Sequence, residues 1–371
     1  MYDNNMTECF LHGCINYQTF DKPADRFYLV YLLLMSRFKS IAKALCWSII
    51  LTALSGAGTG ALAQSLNFSK LVVFGDSLSD TGNIAVIDLP PPYFRNRISD
   101  GPVAVDFIAN SIGSNADSSR HFFGSPRGFN YAVSGGNILG SDREDLEQQV
   151  STHLQRVNQS TDENALYVII MGGNDLRDIR SITDSGIAAQ RINAVASQLD
   201  AQINRLVEAG ATSFLIANVP NIGRIPETLQ RQSSDPTISS RAESYVGSYN
   251  SAFARVVDKY RQRSDLAVSS FDLFQALENI LNNASDLGFR NIEEGCFNPG
   301  DFPFSFDSPP IELDCIIFGF ESRVFFDNIH PSSRTNELLA PRFIEAIPSF
   351  SVNGTNRTTA VPAIIQLLLE N

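Results

Sequence analysis

Four short runs of apolar, largely β-branched residues limit what this chain can fold into, because each stops at a residue that ends a strand. They are Lys70–Phe74 before Gly75, Leu166–Met171 before Gly172-Gly173, Ser213–Val219 before Pro220, and Leu266–Phe271 before Asp272. Near-continuous apolar runs of this length predict strands covered on both faces, the environment of a parallel sheet. Amphipathic stretches at Ala188–Ala209, Ser239–Tyr260 and Asp272–Leu281 follow or separate them. The alternation predicts an α/β fold: a three-layer α/β/α sandwich around a doubly wound, mainly parallel sheet. Ligands of such sheets sit beyond the carboxyl ends of the strands, so the loops after Gly75, Gly172 and Pro220 are where chemistry is expected.

The N-terminus has a different pattern. Met35–Lys43 is a short basic segment without an acid, an apolar run spans Ala44–Leu54, and small residues lead to Ala61-Leu62-Ala63. This order predicts a secretory signal peptide over 35–63, cleaved after Ala63. Its apolar core is shorter than the roughly 20 residues a spanning helix needs. Residues 1–34 then read as an over-extended N-terminus, 64–350 as one domain, and 351–371 as a C-terminal tail. The expected location is secreted or periplasmic, with no membrane span in the mature chain. Loss of residues 1–63 leaves 23 basic against 36 acidic residues, a net charge of −13. Such a surface repels polyanions, so no nucleic-acid partner is expected.

Three of the five cysteines, Cys9, Cys14 and Cys46, fall in the removed segment. Cys296 and Cys315 remain, a matched pair in a chain bound for an oxidising compartment, and a disulfide between them is expected. No His or further Cys lies near them at the spacing of a zinc site. They fall in the Gly-, Pro- and Phe-rich region 285–325, which reads as a disulfide-stapled insertion.

The first strand leads into Gly75-Asp76-Ser77-Leu78-Ser79-Asp80-Thr81-Gly82-Asn83. A serine hydroxyl is a weak nucleophile unless it is presented beside a base, and a tight turn after a buried strand can present it. A lone Gly-Asp-Ser would more often be a helix cap. Near the other end stands Phe326-Asp327-Asn328-Ile329-His330-Pro331. Asp and His three residues apart can meet within one turn, where the carboxylate holds the imidazole in the tautomer a base requires. The mature chain has only two other histidines, His121 without an acidic residue close by and His153 on a polar helical stretch. Two Gly- and Asn-containing turns, Asn130–Asn137 and Gly172–Asp175, could each place a donor beside a developing oxyanion.

In this order the four blocks resemble the SGNH (GDSL) hydrolase family, in its lipase/acylhydrolase-like branch. The resemblance covers about residues 68–340 and implies a flavodoxin-like strand order. It implies Ser77 as nucleophile, His330 as base and Asp327 as the acid that orients it. The implied oxyanion donors are the N–H of Ser77, the N–H of Gly136 (with Gly135 the near alternative) and the side-chain amide of Asn174. Arg97–Pro102 and Leu146–Val150 also look like segments of that branch, whereas Ala104 and Phe326 stand where it usually has an aromatic and a Trp. The implied activity is carboxylic-ester hydrolysis through an acyl-enzyme, on a lipid or other small-molecule ester, with no metal and no organic cofactor. The family also includes phospholipases, acyltransferases and carbohydrate acetylesterases.

Two other classes fit the elements less well. A secreted binding module on the same fold would not need the full Ser, Gly, Asn and His set. A nucleotide binder would need a phosphate-cradling Gly-rich loop with a Lys, which the first turn lacks.

Overall fold

Leu71–Gly75 (β1), Leu166–Ile170 (β2), Ser213–Ala217 (β3) and Ala267–Phe271 (β4) pair in parallel, in that spatial order. A computed structural model gives these elements; it describes residues 68–84, 88–124, 126–297 and 311–348. The expected signal peptide, the residues before it and the C-terminal tail lie outside the described residues. Every residue of β1, β2 and β3 is buried, which is why their sequences run apolar without alternation. Strand β4 reads Ala-Val-Ser-Ser-Phe and is only partly buried, as suits the sheet's edge.

The sheet extends one position beyond β1. Residues 129–133 run alongside it, with Val73 N donating to Phe129 O (3.0 Å), Tyr131 N to Val73 O (2.7 Å) and Val133 N to Gly75 O (3.0 Å). Counting this segment, the order is 2-1-3-4-5, the doubly wound arrangement expected. The sequence Asn130–Gly136 reads as a turn, and among the described residues the segment meets β1 through a single parallel bridge, between Val73 and Asn130.

Helices cover both faces. Leu146–Arg156 (α2), Ser185–Glu208 (α4) and Ile238–Arg261 (α6) pack in series, and so do Ala104–Ser111 (α1), Ser333–Glu345 (α9) and Leu273–Asn282 (α7). Two shorter helices, Gly173–Ile179 (α3) and Pro226–Arg231 (α5), follow the ends of β2 and β3. Caps fix where helices begin: the Asp184 carboxylate accepts from the N–H groups of Gly186 (2.8 Å) and Ile187 (3.0 Å). Among the described residues no helix is long and apolar enough to cross a membrane.

The described parts of the region 285–325 are more organised than its composition suggests. Asn291–Gly295 (β5) pairs in parallel with Arg323–Phe325 (β6), and a short helix, Leu313–Phe318 (α8), lies between them in sequence. Cys296 and Cys315 form the expected disulfide, with Cα atoms 5.7 Å apart. Strand β6 leads directly into Phe326-Asp327. A Cβ on Gly295 would stand 2.3 Å from the Asp327 carbonyl, so only glycine allows the two backbones to pack this closely.

Candidate active site

Ser77 sits two residues past Gly75, where β1 turns. The turn is closed by the N–H groups of Ser79 and Asp80, both donating to the Asp76 carbonyl at 3.1 and 3.0 Å. Gly75 is pinned from outside by Gln149, whose side chain accepts from its N–H (2.9 Å) and donates to its carbonyl (2.7 Å). A Cβ at Gly75 would lie 2.7 Å from the Ile170 carbonyl, so the first glycine of the block is a packing requirement. Ser77 itself is 8% exposed.

At the other end of the chain, the Asp327 carboxylate folds back on its own turn. Its Oδ1 accepts from the backbone N–H groups of Ile329 (2.8 Å) and His330 (2.7 Å), fixing the four-residue turn independently of the His330 ring. The His330 ring then presents Nδ1 to Asp327 Oδ2 at 2.7 Å and Oδ1 at 2.9 Å. An ionised carboxylate only accepts, so Nδ1 carries the proton and Nε2 is left as the acceptor. His330 Nε2 lies 2.7 Å from Ser77 Oγ. Pro331 ends the turn, and the Ser332 hydroxyl caps α9 on the Thr335 N–H at 3.3 Å. The loop Arg97–Pro102 is tied to the same place, since the Asp100 carboxylate accepts from the N–H (2.8 Å) and hydroxyl (2.6 Å) of Ser333.

Ser77, His330 and Asn174 line one cleft whose remaining wall is largely apolar, with Ile170, Ile225, Leu273, Leu277, Leu339 and Phe343 among its residues. Asn174 stands at the start of α3. Its Nδ2 donates to the Gly136 carbonyl (2.9 Å), and its Oδ1 accepts from Arg177 Nη1 (2.8 Å).

The expectation for Gly136 needs correction. Its N–H is already engaged, donating to the Val133 carbonyl at 3.1 Å and closing a turn over Ser134 and Gly135. Gly135 has φ +89°, the left-handed value that the third position of a type II turn demands. Among the described residues the Gly135 N–H has no hydrogen-bond partner, and a Cβ there would meet nothing within 4 Å. Gly136 is instead closed in: a Cβ would lie 2.3 Å from the Glu144 carbonyl. What Gly136 offers the site is its carbonyl, which holds Asn174.

Several polar residues in the same blocks hold loops together, and of those named here only Asp76 also lines the cleft. The buried Asp80 carboxylate accepts from Gly82, Asn83 and Ser134 backbone N–H groups, joining the Ser77 turn to the Gly135 turn. Burial pushes its carboxyl up, against the pull of those donors. Asp175 accepts from the N–H groups of Ile138 (2.8 Å) and Leu139 (2.9 Å), and burial raises it to about 6. Asp76, beside Ser77, is also raised to about 6 by burial, with the Leu78 N–H opposing. Asn130 donates to the Ser79 carbonyl at 2.7 Å. The long-range ties, Asp80 to Ser134, Asp175 to Ile138 and Leu139, and Asn130 to Ser79, have no spacing signal in the sequence, because the fold brings each partner in.

His121, His153 and His330 are now distinct. His153 is not on a polar face: it is 1% exposed, packed edge-on among Phe74, Tyr131 and Tyr167, with neither ring nitrogen hydrogen-bonded. Its helix is amphipathic, and the period puts His153 on the inner side with Val150 and Leu154. His121 places Nδ1 2.5 Å from the Ser119 hydroxyl and does not line the cleft. Among the described residues, no group of three or more His, Cys, Asp or Glu side chains is placed to hold a metal ion.

A family model described as GDSL-like Lipase/Acylhydrolase matches residues 71–343. A GDSL lipase of Tanacetum cinerariifolium is 26% identical over 322 residues, covering 77% of this chain and 85% of the relative. The phosphatidylcholine-sterol acyltransferase of Aeromonas hydrophila is 23% identical over 346 residues, covering 81% of this chain and 97% of the relative. Among solved structures, the acetylxylan esterase Axe2 of Geobacillus stearothermophilus aligns with a TM-score of 0.40 and 12% identity, covering 79% of this chain and all of that one. The family match spans well over half of the chain and includes every residue placed in the cleft above. The chain belongs to the GDSL-like lipase/acylhydrolase family and is an ester-hydrolysing enzyme.

Proposed function

We propose that the chain is an exported serine esterase of hydrocarbon acyl esters, acting through an acyl-enzyme on Ser77. The observation that carries this reading is the unbroken line from Ser77 Oγ to His330 Nε2 to His330 Nδ1 to Asp327 Oδ2, both contacts being 2.7 Å. His330 Nε2 takes the Ser77 proton as Oγ attacks the ester carbonyl, and Asp327 stabilises the imidazolium that results. The oxyanion is met by the backbone N–H groups of Ser77 and Gly135 and by the Nδ2 of Asn174. The imidazolium returns its proton to the departing alcohol. Water then attacks the acyl-enzyme, giving its proton to His330; the bond to Ser77 Oγ breaks, His330 returns the proton to that oxygen, and the carboxylic acid leaves.

The apolar wall of the cleft supports an acyl group of several carbons over an acetylated sugar, whose hydroxyls would find few partners there. A buried methylene is worth about 0.8 kcal/mol, or roughly fourfold in kcat/KM. A series of 4-nitrophenyl esters should therefore climb by about that factor per methylene beyond acetate, until the pocket is filled. A Ser77→Ala control should show no turnover, and a fluorophosphonate should label Ser77. Acetate as the best acyl group would overturn the acyl-chain reading while leaving the nucleophile in place.

Export fits the disulfide, which persists in oxidising compartments. N-terminal sequencing of the mature protein should begin at Gln64, and a product that retains Met35 would exclude cleavage after Ala63.

A further inference from the structure

We infer that Arg177 is a positioning residue of this ester-hydrolysing site, holding the Asn174 amide in its working orientation and tying it, through Glu227, to the turn that carries His330. The inference rests on Asn174 meeting the oxyanion as proposed above.

A carboxamide is nearly symmetric in shape, so an Asn can rotate by half a turn and exchange its oxygen for its nitrogen. At Asn174 that exchange would present an oxygen lone pair to the developing oxyanion. Two contacts forbid it. The Gly136 carbonyl can only accept, and it takes Nδ2–H at 2.9 Å. The Arg177 guanidinium can only donate, and its Nη1 reaches Oδ1 at 2.8 Å. Only one orientation satisfies both, and it leaves the second Nδ2–H free for a ligand.

Arg177 is in turn held on its other edge. Its Nε and Nη2 donate to Glu227 Oε2 (2.9 Å) and Oε1 (3.0 Å), a two-point pair that fixes the guanidinium plane as a lysine could not. The Glu227 carboxylate also accepts from the almost fully buried Arg180 at 2.7 Å. Burial alone would raise the Glu227 carboxyl, but Arg177 and Arg180 outweigh it and hold it at about 2, so the clamp stays charged. The backbone of Glu227 then reaches the other half of the site: its N–H donates to the Asn328 carbonyl at 2.8 Å, and Gln230 Nε2 reaches Asn328 Oδ1 at 3.1 Å. Asn328 lies between Asp327 and His330. One polar chain thus runs from Gly136 through Asn174, Arg177 and Glu227 to the histidine turn.

A merely structural ion pair would lower stability and leave kcat per folded molecule unchanged. The test compares Arg177→Met, Arg177→Lys, Asn174→Ala and the double variant Arg177→Met/Asn174→Ala. Each is assayed with a soluble ester, its folded fraction being measured by near-UV circular dichroism. Arg177→Met should lower kcat by roughly 10- to 100-fold with KM within a few-fold, below the loss of about 10²–10³ expected when an oxyanion donor is removed outright. Arg177→Lys keeps the charge beside Glu227 without the fork and should recover only part of the loss. The double variant should be no slower than Asn174→Ala, because Arg177 acts only through that amide. Normal kcat in folded Arg177→Met, or an equal fractional loss in the Asn174→Ala background, would overturn the inference. If Arg177→Met does not fold, Arg177→Lys decides by the same two criteria. An unimpaired Asn174→Ala would instead show that the reading beneath it had failed.

Discussion

Ser77 Oγ and His330 Nε2 lie 2.7 Å apart although 253 positions separate the two residues in sequence. The sheet does not bring them together unaided. β1 carries Ser77 to the strand ends, while His330 arrives on the turn between β6 and α9, anchored by the Asp100–Ser333 contacts and by Phe326 N donating to the His330 carbonyl at 2.7 Å. His330→Ala should therefore fold and lose nearly all turnover. A folded His330→Ala enzyme within tenfold of wild-type kcat/KM would exclude it as the base.

His153 should govern acid stability instead of catalysis. Burial holds its ring at about 4, against 6.5 in the open, with Arg156 and Lys70 adding to the effect. Between those values the unfolded chain takes a proton that the folded chain refuses. The stability contributed is therefore present above pH 6.5 and lost as the pH falls toward 4, by about 3 kcal/mol for one such group. His121, also lowered to about 4 by burial, acts in the same direction. His153→Leu should flatten part of this slope in urea titrations run from pH 7 to pH 4 and keep kcat close to wild type. His153→Ala should instead lose stability, because it opens a hole among Phe74, Tyr131 and Tyr167. An unchanged slope in folded His153→Leu would remove the assignment.

The Cys296–Cys315 bridge closes a loop of 19 positions. On the chain-entropy account a loop of that size stabilises by about 3 kcal/mol. Cys296→Ala/Cys315→Ala should shift the denaturant midpoint accordingly. Alkylation of the unreduced protein should add no mass at either cysteine. Two alkylated thiols before reduction would contradict the bridge.

The parts of this fold that sequence makes legible are those governed by local rules. A strand buried on both faces writes its burial into consecutive residues, so β1 to β3 are readable within a residue or two at either end. The Asp327-to-His330 turn is readable because its chemistry closes within four residues. The segment 129–133 is not, because its pairing is made by β1 and its own sequence favours a turn. Strand β5 (Asn-Ile-Glu-Glu-Gly) is largely polar and exists through Arg323–Phe325, which lies far along the chain. The choice between Gly135 and Gly136 depends on which peptide of a turn faces outward, and two adjacent glycines carry no local signal for that. Arg177 and Glu227 are 50 positions apart, and only the ends of β2 and β3 make them neighbours.

Asn174 separates a chemical role from a structural one most sharply. Its amide makes two contacts in the resting enzyme, to Gly136 O and from Arg177 Nη1. If those were its whole purpose, Asn174→Ala would lose a little stability and leave kcat unchanged in whatever remained folded. If the free Nδ2–H meets the oxyanion, it acts on charge that develops only in the transition state. Loss of such a donor costs about 10²–10³ in kcat, or roughly 2.7–4 kcal/mol. Ground-state binding should hardly change, so KM should stay within a few-fold and the melting temperature within a few degrees. Ser77→Ala combined with Asn174→Ala should be little worse than Ser77→Ala, because without the nucleophile no covalent oxyanion forms for the amide to stabilise. Stopped-flow assays of the burst and steady-state phases with one activated ester would measure all three variants. A well-folded Asn174→Ala enzyme with near-normal kcat would leave the N–H groups of Ser77 and Gly135 to stabilise the oxyanion without it.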